Sequence, residues 1–574
     1  MSAASSSDAV TTPTPQTQFR STAAGGGSKS KLGVVAILLI FLIYQALEFK
    51  YASPNSASLA GGNVQYKQCP KGIGGNPSVT VVAASESSGS SSTSLVPGEL
   101  PGYTGWARPE QTMAGYFTIE SFSEVPSVGT TFEVSVKCVG HQDCGSSDSL
   151  FFLRAYGPSV VPGRVIVKMN GQYTFLFEFM DPGSYTVEGV LSFSNPPPID
   201  KFPLPDGEQE PPYEGYLLPG FPLQVQVSGA ESIVKARSST KKKVNATYCT
   251  LEELSVLQAS NSIPRARWKV TSKSNTPGYT SKTLQLPISE EGYKRNIHSL
   301  GIAMEYVYES GCMLLPRSAF SKKRDNDNPF SRCKQKSDSD VSKLQVVFIG
   351  DSVMRVQKDM FDGLVGHLPN VETLLIELYG GYRRCEKYGP DIKGHLDDLI
   401  RHRPEDKKVF LFNTGLHDIH RLCGAEWNDD RSSYLSVDQL GSGKFKCIDE
   451  YRKLIKDFAV ALRDFPADLK IFQTSTAAWP KHGNFNIQWK PHGQAMPLAP
   501  EIVSQFNDVA LEVLRDFSDD IYIMDGFWIT YSRPDNREYG DIGHKLSHPG
   551  LEVQGAMVSI FVMMVLRKVC FLEG

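Results

Sequence analysis

The chain has 574 residues, 40% hydrophobic and 21% charged, with 59 basic against 62 acidic side chains and a formal net charge of −3. That balance lacks the basic surplus of a nucleic-acid binder, and the apolar content is that of a globular protein. Length sets an expectation of roughly three to four domains.

Residues 1–31 are rich in Ser, Thr, Ala and Gly, without hydrophobic period, and are expected to form a disordered cytosolic tail. The run "KLGVVAILLIFLIYQALEFK" follows, free of charge from Leu32 to Leu47. Residues 32–48 are expected to be a transmembrane signal anchor, at the short end of the roughly 17–25 residues a span needs. A cleaved signal peptide is the rival reading; the long preceding tail and the lack of a small-residue cleavage site behind the run disfavour it. Lys29 and Lys31 precede the span, which places the N-terminus in the cytosol and the bulk in a lumen. A short span suits the thin membranes of the early secretory pathway.

In an oxidising lumen the ten cysteines are expected to form disulfides, and none lies in a CxxC pair. Cys312–Cys333 and Cys423–Cys447 are plausible local pairs. Asn245-Ala-Thr247 is an acceptor sequence for N-glycosylation.

Residues 49–75 read as a stalk. From 76 to 230 the pattern is β, clearest in "RVIVKMNGQYTFLFEF", where two strand-like runs flank Asn170-Gly171, a strong hairpin signal. Short strands at this spacing predict a β-sandwich, either a glycan- or partner-binding module or a spacer. Residues 231–300, with the basic run "KARSSTKKKVNATY", are expected to be a linker.

Residues 301–574 alternate apolar runs with amphipathic stretches. "LQVVFI", "VETLLIEL", "KKVFLF", "LKIFQ" and "IYIM" are each followed by a helix-like segment. Five β–α units predict a parallel sheet covered on both faces, with ligands at the carboxyl ends of its strands. The closing apolar helix is too short a run to span a bilayer and is expected in the core. The loop 477–497 is long and carries Trp479 and Trp489, aromatic faces suited to sugar rings; a packed surface loop is the plain alternative.

The polar residues after these strands carry the chemistry. Gly350-Asp351-Ser352 follows the first, Gly380-Gly381 the second, and Asn413-Thr414-Gly415 the third; Asp541 and His544 come after the last. Acyl chemistry needs a nucleophile, a base, an orienter for the base, and donors aimed at an oxyanion. Ser352 can attack, His544 can take its proton, and Asp541 can hold the imidazole. The backbone N–H of Ser352, an N–H at Gly380 or Gly381 and the Asn413 amide can form the hole. Asp351 and Ser352 can each also cap the following helix. Arg355 can contact substrate or brace nearby carboxylates. His417 lies beside the Asn413 block. His417, His420 and Cys423 have a spacing that invites a metal, but zinc needs three or four ligands and no metal is expected.

In this order the blocks resemble the SGNH (GDSL-type) hydrolase superfamily, and more closely its PC-esterase branch. "GDSVMRVQ" is similar to the GDSxxRxQ of trichome-birefringence-like polysaccharide O-acetyltransferases, matching at Arg355 and Gln357. "FNTGLHD" resembles their FNTG block, and "SRPDN" the stretch before their Asp-x-x-His. A sandwich ahead of such a domain and behind an anchor resembles the neurexophilin/PC-esterase family. The chain departs from the plant pattern in "HKLSHPG", which lacks their Trp-Cys after the histidine and offers His548 as a rival base, and in the missing Trp-Trp after Asn413.

The resemblance implies an α/β fold: a three-layer SGNH-like parallel-sheet domain over 301–574, preceded by an all-β immunoglobulin-like sandwich and one N-terminal transmembrane helix. It implies a Golgi, single-pass type II glycan O-acetyltransferase working through a Ser352 ester. It would hold no bound cofactor and use an acetyl donor, acetyl-CoA being one candidate, as co-substrate. The partners expected are a glycan acceptor and the membrane, with no nucleic acid. An acetylesterase and a non-catalytic adhesion or ligand-binding protein on a retained hydrolase fold are the alternatives.

Overall fold

The computed structural model describes residues 113–229, 248–256, 266–270, 304–333, 343–378, 391–423, 446–477, 499–533 and 549–570, with breaks at 125, 146–147, 203–210, 212–213, 215, 316 and 321–327. The tail, anchor, stalk and Asn245 lie outside these residues, and among the described residues no helix is long and apolar enough to cross a membrane.

Two antiparallel sheets come first. One has the order β1-β2-β6-β5, from β1 (Phe117–Phe122), β2 (Thr131–Cys138), β5 (Arg164–Met169) and β6 (Gln172–Glu178). The second contains β3 (Leu150–Tyr156), β4 (Ser159–Pro162), β7 (Gly183–Phe193), β8 (Tyr216–Leu217) and β9 (Leu223–Val227). The Asn-Gly turn joins β5 to β6 as its sequence predicts, with Asn170 at φ 51° and Gly171 at φ 74°. A Cβ on Gly171 would also lie 2.0 Å from the Cys144 carbonyl oxygen. The sheets share a core in which Phe151 of β3 meets Phe117 at 5.4 Å and Phe175 at 5.0 Å between ring centroids.

The second sheet is longer than expected. Strands β10 (Ala266–Val270) and β11 (Met304–Tyr308) extend it in the order β11-β10-β4-β3-β7-β8, with β9 also on β7. The 231–300 stretch is therefore more than a linker: it supplies a sandwich strand and helix α1 (Leu251–Leu254), whose start is a Thr250–Glu253 capping box. Residues 304–308, assigned by sequence to the α/β part, also belong to this sheet. Strand β10 is pinned by Asp181, which accepts from Arg267 Nε at 2.6 Å and Nη2 at 3.0 Å and from Lys269 Nζ at 2.8 Å. Burial alone would raise this carboxyl, but the two cations outweigh it and hold it at about 2.

The α/β part has the parallel order β13-β12-β14-β15-β16. These strands are β12 (Leu344–Gly350), β13 (Val371–Glu377), β14 (Lys407–Phe412), β15 (Leu469–Gln473) and β16 (Tyr522–Met524). Helices α2 (Ser352–Val365) and α8 (Leu551–Lys568) cover one face, where Phe348, Phe361 and Phe561 pack with centroids 5.4–5.6 Å apart. The other face takes α3 (Asp391–His402), α4 (Gly415–Cys423), α5 (Cys447–Arg463) and α6 (Pro500–Leu514). Along β12, Val346 and Phe348 join the first layer while Val347 and Ile349 join the second. A strand buried on both faces needs an unbroken apolar run, which is how "LQVVFI" reads. The short α7 (Phe527–Tyr531) follows β16, and α8 sits in the core as expected.

Among the described residues four disulfides are present: Cys138–Cys144, Cys249–Cys312, Cys333–Cys570 and Cys423–Cys447. They suit an extracellular or luminal setting. Cys423–Cys447 was legible; Cys312–Cys333 is corrected, since Cys312 joins α1 to the β11 segment and Cys333 ties the end of α8 across 237 residues of sequence.

Asp181→Asn is expected to cost about 2 kcal/mol at pH 7, the worth of hydrogen bonds to a buried charge. The depressed carboxyl stabilises the fold above the ordinary 3.8, and that contribution is lost as pH falls through 3.8 toward about 2. Calorimetry should therefore show the gap between wild type and variant closing below pH 4; a gap independent of pH would reject the ionic role.

Candidate active site

Helix α2 begins with Ser352, and its N-cap is Asp351 (φ −86°, ψ −160°). Asp351 Oδ1 accepts the Val353 N–H at 2.9 Å, so the capping role falls to the aspartate. Asp351 is buried, whereas Ser352 is half-buried at the first turn. Gly350 permits the tight exit from β12: a Cβ there would lie 2.9 Å from Met354 Cβ and 3.0 Å from the Asn413 carbonyl oxygen.

That contact brings the ends of β12 and β14 together. Asn413 N–H donates to Ile349 O at 2.9 Å, and its side-chain Nδ2 donates to Gln473 O at 2.5 Å. The residue thus ties three neighbouring strand ends, and the Gln473 bond uses one of the two amide protons. Arg355, one turn into α2, forms an ion pair with Glu377 at 2.7 Å at the end of β13. The contact braces the two elements, and the half-exposed guanidinium makes the pair a weak one. His417 is half-buried in the first turn of α4, beside the wholly buried Asp418.

The remaining strand ends are also polar, a pattern the sequence reading passed over. Thr474 Oγ1, after β15, accepts from the N–H groups of Gly526 at 2.8 Å and Phe527 at 3.1 Å. Asn507 of α6 clips the backbone of Ser475, accepting its N–H at 2.8 Å and donating to its carbonyl at 3.0 Å. Asp525, after β16, accepts from Trp528 N–H at 2.9 Å, and burial pushes its carboxyl up to about 6. Tyr451 of α5 is fully buried near Thr414 and Ser475; burial pushes its hydroxyl up to about 12. Gln357 of α2 and Gln554 of α8 are wholly buried, with no hydrogen-bond partner for either amide among the described residues. The polar letters in "QTST" and "MDG" were the available signal.

The sheet order reverses direction between β12 and β14, and ligands of such sheets sit outside the carboxyl ends at that switch point. Ser352 and Asn413 flank it. Of the other sequence-predicted site residues, Gly380, Gly381, Trp479, Trp489, Asp541, His544 and His548 lie outside the described residues. The segment holding the last three is bracketed by Arg533 and Glu552, which pair at 2.9 Å. Metal ligation through Cys423 is closed by its disulfide. The cluster of Cys249, Glu253 and Cys312 offers no thiolate either, because the two cysteines are bonded to each other.

No family model matches the chain, and no curated protein matches it. Among the solved structures that resemble part of it is the crystal structure of the Lin-41 filamin domain, 16% identical, covering 20% of this chain and 91% of that one, with a TM-score of 0.14. A likeness at that score carries nothing about activity.

Proposed function

We propose that the chain is a luminal glycan O-acetyltransferase of the SGNH/PC-esterase kind, anchored by residues 32–48 in the Golgi membrane, with an immunoglobulin-like sandwich ahead of its catalytic domain. The observation that carries the reading is the division of labour at the head of α2. Asp351 caps the helix, and Ser352 stands half-buried beside it at the switch point of the sheet.

In this mechanism Ser352 Oγ attacks the acyl carbon of a donor such as acetyl-CoA while His544 takes the hydroxyl proton. Asp541 holds the imidazole. The oxyanion is met by the Ser352 N–H at the positive end of α2, the Asn413 amide and an N–H at Gly380 or Gly381. The leaving group takes the proton from His544, and Ser352 is left esterified. A sugar hydroxyl then gives its proton to His544 and attacks the ester carbon; the bond to Ser352 Oγ breaks as His544 returns that proton to it, releasing the acetylated glycan and free Ser352. An esterase would run the same steps with water as the second attacker, so the distinction lies in what the site excludes.

Fluorophosphonate labelling of the full chain should be abolished by Ser352→Ala. His544→Ala and Asp541→Asn should slow labelling by about 10³–10⁴-fold, while His548→Ala leaves it near wild type. Absence of labelling between pH 6 and 8 would favour the binding-protein reading, and loss on His548→Ala alone would move the base to that residue.

The cap and the nucleophile are expected to separate in a second experiment. Asp351→Ala should lower stability by about 1 kcal/mol, whereas Ser352→Ala should unfold at the wild-type temperature. Equal destabilisation by the two would make Ser352 a second cap. Mass spectrometry of glycans from cells with and without the protein checks the direction: a gain of acetyl with the protein present marks a transferase, a loss an esterase.

A further inference from the structure

Three hydroxyls gather in the core behind the part of the rim that Asn413 occupies. Thr414 follows Asn413 directly, Ser475 lies two residues past the Gln473 carbonyl that accepts from the Asn413 amide, and Tyr451 comes from the second turn of α5. Each of the three is at most 1% exposed.

Each is held from its own side. Asn507 clips the Ser475 backbone, and the Tyr451 ring stands edge-on to Phe506 of α6 with centroids 5.0 Å apart. Helix α4 begins right after Thr414, and the Cys423–Cys447 bond ties its end to the start of α5.

The hydroxyls are neighbours without being bonded to one another. Burial pushes the Tyr451 phenol up to about 12, and the Thr414 and Ser475 hydroxyls are close enough to pull against that rise. None of the three oxygens has a partner at hydrogen-bonding geometry among the described residues. Buried polar groups left unpaired are costly, and neighbours that miss direct bonding geometry are the arrangement a bridging water satisfies.

The chemistry of the cluster selects the ligand. A hydroxyl both donates and accepts, so the set can take a water's protons and fill its lone pair, and internal waters typically make about three such bonds. A metal ion calls for anionic or imidazole ligands. The phenol stays protonated, and the carboxylate that raises it, Asp418, already has partners of its own.

We propose that Thr414, Tyr451 and Ser475 bind one buried water, which ties the end of β14 to the end of β15 and so positions the Asn413 amide. The positioning role rests on the acyl-transfer reading; the water site does not. Asn413 already bridges these two segments through Gln473. A second bridge limits how far its amide shifts as charge develops on an oxyanion. Tyr451 and Ser475 are then positioning residues that act through the strand ends.

The test compares the full chain with Tyr451→Phe, Ser475→Ala and Thr414→Val, and with Thr414→Ser, which keeps the hydroxyl. Oxygen-17 relaxation dispersion of the solvent reads long-lived internal water, and calorimetry reads the unfolding temperature. The three variants that delete a hydroxyl should each lose one such water and unfold at a lower temperature, while Thr414→Ser keeps wild-type values for both. An unchanged water signal in those three would overturn the site. So would a raised unfolding temperature, because deleting an unpaired hydroxyl from a dry core stabilises it. Fluorophosphonate labelling of Ser352 reads the positioning: Tyr451→Phe should lower the maximal rate about tenfold and leave the half-saturating concentration unchanged. A wild-type labelling rate in that variant would reject the positioning role. A wild-type chain that never labels would reject the reaction and the positioning with it, and the water signal would then decide the site alone.

Discussion

Strand β3 is buried along its whole length. On one side Phe151 packs into the sandwich core; on the other Phe152 meets Tyr531 of α7 at 5.2 Å, and the Leu153 N–H donates to the Tyr531 hydroxyl at 3.2 Å. A sandwich sheet ordinarily shows its outer face to water. Here that face is the floor on which the α/β part rests, so neither part is complete without the other. The added strand β10 deepens the joint. Trp268 is almost wholly buried, donates from Nε1 to the Ile529 carbonyl at 2.9 Å, and carries the Arg533 guanidinium over its ring at 4.9 Å.

Burial on both faces explains a second feature of the same sheet. Arg154 and Glu188 face each other in register on β3 and β7, and the guanidinium donates from Nε and Nη2 to one carboxylate oxygen at 3.1 and 2.8 Å. Arg154 also lies over the rings of Phe152 at 5.8 Å and Tyr156 at 5.0 Å. A pair so placed gains little net stability, because both charges leave water. Its geometry nevertheless sets a register: sliding β3 by one residue along β7 would strand both charges against apolar neighbours. The docked face is thereby fixed to one alignment, and with it the position of Tyr531 and α7.

The sequence was legible wherever structure is set by near neighbours. The Asn-Gly hairpin, the five apolar strands and the Cys423–Cys447 pair are all local in that sense. The second-sheet extension was not. "ARWKV" is five residues of mixed polarity whose strand character comes from pairing with β4 and β11. Cys333–Cys570 was hidden for the same reason, since only the parallel sheet brings residue 333 to the end of α8. At the site, the order of polar blocks pointed to one rim, and Ser352, Asp351 and Asn413 are found together there. What the letters left open was the assignment of tasks: Arg355 turns to Glu377, and Asn413 bridges to Gln473. Those choices depend on which strand lies beside which, a fact of topology rather than of spacing.

The rim is held by hydrogen bonds from side chains to backbone, and this bears on chemistry. Asn413, Thr474 and Asn507 each spend polar atoms on the backbone of a neighbouring strand end or helix start. Strand ends locked in this way do not reorganise when charge develops, which is the condition under which fixed dipoles stabilise an oxyanion. A transferase needs one thing more than a hydrolase: its second attacker must be a sugar hydroxyl held in place rather than the more abundant water. A rigid rim cannot supply that selectivity, because water reaches any open serine. A binding surface on an adjoining domain can, by raising the local concentration of acceptor and covering the ester once the chain is bound. The docking of a two-sided β sheet on the parallel sheet also builds a walled cleft between the two parts, which the α/β part alone would leave open to solvent.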